Sequence, residues 1–182
     1  MTYSEFCNTT LPLAVEVYKR YQLNPIGVMA QAALESGWGK STPGNMWFGI
    51  KANSAWTGDK QLLWTTEYID GVKTKVQRYF RAYDSALDSF LDYGKLIATN
   101  NRYVAALNYP GYYETDSYLR AIAAAGYATS PTYASAIINC ANIIKEYVTP
   151  EILDAELKKK STAGNNTLII ALLLGLIILN DL

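Results

Sequence analysis

Histidine is absent from this 182-residue chain. That removes His-based nucleophilic triads and the usual zinc-hydrolase ligand sets. Cysteine is scarce: Cys7 and Cys140 stand far apart. Two cysteines are not a disulfide framework. They meet only if the terminal helices pack together, and two free buried thiols are the other reading. Neither sign of charge predominates, with 16 Lys and Arg against 16 Asp and Glu. No basic excess exists to hold nucleic acid, so no nucleic-acid partner is expected. There is no glycine-rich phosphate loop and no dense Asp/Asn calcium loop; Asn53–Asp59 reads as a plain polar loop. No metal and no cofactor are expected. No internal repeat is visible. Met1–Thr10 includes Glu5 and Asn8 and has no apolar core, so it does not read as an export signal. Among simple enzyme classes, a metal-free hydrolase working with carboxylates is what remains.

What is present is one domain's worth of core. Half the residues are apolar and 18% are charged, enough for a single domain with a short appendage. The stretch Gln31-Ala32-Ala33-Leu34-Glu35-Ser36-Gly37-Trp38-Gly39-Lys40 places one carboxylate at the end of an apolar helix. Asn24 and Pro25 open that helix as N-cap and first residue; Gly37 and Gly39 can close it. In the last turn, the negative end of the helix dipole and apolar neighbours both raise a carboxyl pKa. A general acid working near neutral pH needs that shift. The plain alternative is a solvated glutamate on a surface helix.

A second carboxylate, Glu67, ends the strand-like run Gln61–Tyr68. Val72–Phe80 reads as its partner, with Ile69-Asp70-Gly71 as the turn of a β-hairpin. Two carboxylates, one ending a helix and one on a hairpin, can flank a glycosidic bond between two lobes. The plain alternative pairs Glu67 with Lys73 or Lys75 across the strands.

The remaining pattern is helical. Thr9 or Thr10 caps a helix from Pro12 to about Tyr21. Others cover Ser85 to about Ala98, Tyr103–Leu107, Thr115–Ala125 and Pro131 to about Tyr147. The expected class is α+β, mostly α, with a small hairpin lobe. The expected units are 1–148 for the domain, 149–166 for a charged, solvated helix and linker, and 167–182 for an apolar tail helix.

Four motifs occur in order: Ala33–Gly39, Asn45-Met46-Trp47-Phe48-Gly49-Ile50-Lys51, Thr65-Thr66-Glu67-Tyr68 and Gly126–Ala134. Over about Leu11–Tyr147 the chain resembles the glucosaminidases of glycoside hydrolase family 73, the flagellar-muramidase and autolysin type. The resemblance implies a lysozyme-like fold and cleavage of the β-1,4 bond after N-acetylglucosamine in peptidoglycan. It implies Glu35 as general acid, Glu67 as second carboxylate and Tyr127 as the motif tyrosine, with Tyr133 the nearby alternative. Substrate contacts are carried onto Trp38, Asn45, Trp47, Phe48, Trp64, Tyr68 and Tyr133. Ser130 departs from the aspartate often found there. Two alternatives remain open: a muramidase or lytic transglycosylase, and a non-catalytic wall-binding virion module. The missing leader suggests a phage protein, released at lysis or carried on the virion.

Leu168–Leu179 is twelve residues without a polar side chain, about 18 Å as a helix against about 30 Å of bilayer hydrocarbon. It is a marginal span. Lys158-Lys159-Lys160 before it would stay on the cytoplasmic side, so a self-association or virion contact is a serious rival. Deleting residues 161–182 is expected to leave a soluble, monomeric, active domain. The intact chain is expected in a membrane fraction, an oligomer or virions. Gel filtration without detergent checks both: a monomeric intact chain removes the tethering role.

Overall fold

The computed structural model describes residues 1–69 and 72–159, with the backbone alone at 68 and 69. The linker and apolar tail expected at 160–182 lie outside the described residues. Two helices begin the fold. α1 spans Tyr3–Tyr21 and α2 spans Pro25–Ser36. α1 begins nine residues before the expected Pro12. Thr2 and Glu5 form a reciprocal capping box, each side chain bonding the other's backbone N–H, which starts the helix upstream. Phe6, Leu11, Ala14 and Val15 bury the face that carries it past Pro12. α2 follows the sequence reading: Asn24 caps it, Pro25 is its first residue and Gly37 ends it in the left-handed region.

β1 (Lys60–Ile69) and β2 (Val72–Arg81) form an antiparallel hairpin in the register Glu67↔Thr74, Trp64↔Gln77 and Gln61↔Phe80. Then come α3 (Ala86–Thr99), α4 (Thr115–Ala124), α5 (Tyr133–Tyr147) and α6 (Pro150–Leu157), with short 3₁₀ turns between. α5 starts two residues later than Pro131 suggested. α6 carries the chain past the expected boundary at residue 148. Its Leu153 is 4% exposed in the common core, and Lys19 donates to the Lys159 carbonyl. Leu153 and Leu157, one turn apart, give the supposedly solvated helix an apolar side.

The core lies among the helices. Phe6, Ile26, Met29, Phe90, Tyr93, Tyr118, Leu119, Ile122 and Ile137 are fully enclosed. The hairpin is attached at its base. Arg81 donates to both oxygens of Asp92 at 2.9 and 2.7 Å, and the Tyr83 hydroxyl donates to the same carboxylate at 2.7 Å. Such partly buried, charge-assisted bonds are the strong ones. Cys7 and Cys140 are free, and burial pushes both thiols up to about 11.

One close approach fixes the order of packing. A β-carbon on Gly27 in α2 would overlap the Tyr118 ring, with Cε1 at 2.6 Å. Alanine would gain up to about 1 kcal/mol of helix propensity. Overpacking against an enclosed ring costs about 1–3 kcal/mol. The second term wins, so Gly27→Ala should lower stability. A melting temperature equal to or above the parent's would show that Tyr118 can move aside.

Candidate active site

Glu35 stands in the last turn of α2, and the backbone around it is tightly specified. Gly37, Trp38 and Gly39 have φ of 58°, 61° and 73°. Three successive left-handed residues turn the chain sharply away from the helix end. The Ser36 hydroxyl donates to the Ala32 carbonyl and accepts from the Gly39 N–H. Glu35 itself is exposed, but its carboxyl is crowded by protein. The Tyr133 hydroxyl donates to Oε1 at 3.2 Å, and Oε2 lies 3.7 Å from where a β-carbon on Gly49 would sit. Desolvation raises the Glu35 pKa, and the hydrogen bond from Tyr133 works against it.

A directed chain of hydrogen bonds reaches Glu35 from the core. Tyr93 donates to the Gln31 Oε1, and its oxygen meets the Tyr118 hydroxyl at 3.1 Å. Gln31 Nε2 donates to the Tyr133 oxygen at 3.2 Å. Because the amide turns its carbonyl to Tyr93, its NH₂ must face Tyr133. The Tyr133 proton is then free for Glu35. Burial holds Tyr133 far above its ordinary pKa, and the nearby Glu35 adds to that. It therefore remains a donor.

Glu67 faces the same side of the hairpin as Leu63, Thr65, Thr74 and Val76, the more covered side. Its partner is a lysine, but not Lys73 or Lys75. Lys51 Nζ approaches Oε1 at 2.5 Å, without hydrogen-bond alignment. The segment Phe48–Lys51 joins the two carboxylates: Gly49 lies against Glu35, and Lys51 reaches Glu67. Tyr127 holds this segment, its hydroxyl donating to the Phe48 carbonyl at 3.1 Å.

Several expected contacts are elsewhere. Tyr133, rather than Tyr127, touches the acid; the two rings stack with centroids 6.0 Å apart. Trp47 and Phe48 are buried, Trp47 between Phe6 and Phe90, and Phe48 stacked on Tyr93. Neither ring can meet a sugar. Trp38 packs on Tyr3 and Phe6 of α1. The Asn45 amide donates to the Tyr83 and Asp84 carbonyls, tying a loop. Trp64 is on the face of β1 opposite Glu67, because the two differ by an odd number of residues. The side chain of Tyr68 lies outside the described residues. Gln31 and Lys51 carried no expected role. Gln31 had a legible signal, a buried amide one turn before the acid on the same face. Among the described residues, no cluster of His, Cys, Asp or Glu could hold a metal. No helix there is long and apolar enough to cross a membrane.

Two surface depressions, of about 390 and 380 Å³, are lined by neither Glu35 nor Glu67. The Glu35 residue itself is exposed at the surface. A carboxyl crowded at a helix end, beside a hairpin bearing a second carboxylate, defines a lysozyme-like glycoside hydrolase domain.

A family profile described as glucosaminidase, mannosyl-glycoprotein endo-beta-N-acetylglucosaminidase, matches residues 11–147. The chain belongs to this glucosaminidase family. The peptidoglycan hydrolase FlgJ of Vibrio parahaemolyticus is 39% identical over 139 residues, 73% of this chain and 44% of the relative. The exo-glucosaminidase LytG of Bacillus subtilis is 31% identical over 129 residues, 66% of this chain and 44% of that protein. This chain thus spans less than half the length of either. The C-terminally truncated glycoside hydrolase domain of Salmonella typhimurium FlgJ superposes with a TM-score of 0.67 at 32% identity, covering 80% of this chain and 99% of that one. These relatives are bacterial, and the expected phage setting draws no support from them.

The donor to Glu35 sets a pH prediction. The Tyr133 bond favours the carboxylate, so Tyr133→Phe should raise the Glu35 pKa further. With Glu35 as a general acid, active when protonated, the expectation is that the alkaline limb of kcat/KM moves to higher pH. A limb that stays or moves down would mean that Tyr133 does not control the proton.

Proposed function

We propose that this domain hydrolyses the β-1,4 bond after N-acetylglucosamine in peptidoglycan. The reading rests on one observation above all: Glu35 stands in the last turn of α2 at the surface, yet its carboxyl is desolvated, which raises its pKa in the direction a general acid needs. Tyr133 occupies Oε1 as donor, so the acidic proton belongs on Oε2, the oxygen beside Gly49. From there Glu35 protonates the leaving oxygen.

Glu67 acts on the other side of the bond. It activates water or stabilises the oxocarbenium-like transition state. Lys51 holds its carboxylate toward the segment that borders Glu35. If the substrate's own acetamido group attacks instead, the demand on Glu67 falls. Tyr127 supports the Phe48–Gly49 backbone rather than touching the acid. The likeness to the peptidoglycan hydrolase FlgJ supports the choice of polymer, and the family match with the likeness to the exo-glucosaminidase LytG supports the choice of bond.

Digestion of purified wall sacculi, followed by borohydride reduction and mass spectrometry, tests the bond cleaved. The expected new reducing end is N-acetylglucosamine; muramic acid or its anhydro form would overturn the reading. Glu35→Gln should keep the fold and lose at least about a hundredfold in rate. Clearing of sacculi at parental speed would remove Glu35 as the acid.

A further inference from the structure

The outer face of the hairpin is unlike the rest of the surface. Along β1 and β2 it presents Lys60, Leu62, Trp64, Thr66, Lys75, Gln77 and Tyr79, all exposed. Trp64 is 61% exposed and Tyr79 49%, with Leu62 directly across from Tyr79. Register puts the two rings on diagonal positions, about 7 Å apart at the backbone. Lys75 Nζ sits 5.4 Å from the centre of the Trp64 ring, and Lys60 Nζ 4.8 Å from that of Tyr79. No acid lies on this face, although the whole chain is charge-neutral. Among the described residues, Lys60, Lys73 and Lys75 make no ion pair.

These rings lie opposite the face that carries Glu67, and each keeps about half or more of its surface in solvent. Leaving a tryptophan and a tyrosine in water on a strand is a cost unless something meets them. Two flat rings with ammonium groups beside them fit one chemistry well. Sugar rings offer apolar faces for stacking, and acidic peptide side branches offer carboxylates to lysines. A two-stranded sheet is thin, so a hairpin working in a mesh of strands meets one on each side.

We propose that the outer face of the hairpin is a second glycan-binding surface, which holds a neighbouring peptidoglycan strand through Trp64 and Tyr79 and its acidic stem peptides through Lys60 and Lys75. This rests on the proposed polymer but not on the bond cleaved. A lipid surface would also attract aromatic rings and lysines. One tryptophan, one tyrosine and one leucine supply too little apolar area to favour it, since interfacial binding scales with that area.

The test uses the full chain. In a Glu35→Gln background, which binds without cutting, the double variant Trp64→Ala and Tyr79→Ala should weaken co-sedimentation with sacculi at least about tenfold. In the active background, the same pair should slow clearing of sacculi while leaving cleavage of short soluble glycan fragments within about twofold, because such fragments occupy the catalytic side alone. Lys60→Gln with Lys75→Gln should weaken binding to whole sacculi and leave binding to peptide-stripped glycan unchanged. Unaltered co-sedimentation of the aromatic variant overturns the proposal. Equal loss on soluble fragments overturns it too, by returning the rings to the catalytic side. So does a loss confined to anionic phospholipid vesicles, which would make the partner a membrane. A parent that binds sacculi but cuts nothing defeats the proposed activity, and the sedimentation arm still reads the outer face.

Discussion

The placement of a single amide, that of Gln31, governs the active site. It is fully buried in an apolar helix, where an unsatisfied amide would cost about 1–3 kcal/mol. Its carbonyl accepts a hydrogen bond from the Tyr93 hydroxyl, and its NH₂ donates to the Tyr133 oxygen. α3 brings Tyr93 and α5 brings Tyr133, while α4 brings Tyr118 to the Tyr93 hydroxyl. The helical lobe is assembled around a polar thread that is satisfied only when all four helices are in place. Partly formed, such a thread is worse than an apolar core. The same condition that makes the lobe cooperative also makes the hydrogen bond to Glu35 one-directional.

The hairpin obeys a different constraint. Its base is tied to the helices through Arg81, Tyr83 and Asp92. Its two faces are therefore free to differ, and they do. The inner face brings Glu67 beside Lys51; the outer keeps its aromatic residues and lysines in solvent. The segment Phe48–Lys51 touches the carboxylates of both lobes, Gly49 lying against Glu35 and Lys51 reaching Glu67. Tyr127 fixes it from the helical side and β2 from the other, with Arg81 N–H donating to Ile50 and Ala52 N–H to Tyr79. The positions of Glu35 and Glu67 are thus linked by a short strap held at both ends.

How much of this was readable from the sequence depended on range. Asn24, Pro25 and Gly37 are local signals, and they placed Glu35 at the end of α2. The Ile69-Asp70-Gly71 signal likewise gave the hairpin but not its register, since Glu67 lies across from Thr74 rather than from Lys73 or Lys75. Side-chain allocation was harder. Trp47 and Phe48 lie inside a family motif, and nothing local distinguishes a motif aromatic that packs from one that binds. The choice between Tyr127 and Tyr133 depended on how α5 docks on α2, which no spacing encodes. Two signals were available and carried no weight: the odd spacing from Trp64 to Glu67, and the lone amide of Gln31 one turn before the acid. Pro12 misled for a physical reason, since a capping box upstream and a buried face outweigh one missing N–H.

Trp38 is a tryptophan in left-handed backbone, a geometry that costs about 1–3 kcal/mol outside glycine. Its ring rests on Tyr3 and Phe6, with centroids 4.4 and 5.1 Å away. Two aromatic contacts at about 0.5–1.5 kcal/mol each are of the size needed to balance that strain. The bend that aims Glu35 is therefore spring-loaded, and the first turn of α1 is its catch. Half of the catch is Tyr3, on the outermost turn of the helix. An attachment joined just before it would pull on the same catch, so tension in a neighbouring segment would reach Glu35 through the backbone alone.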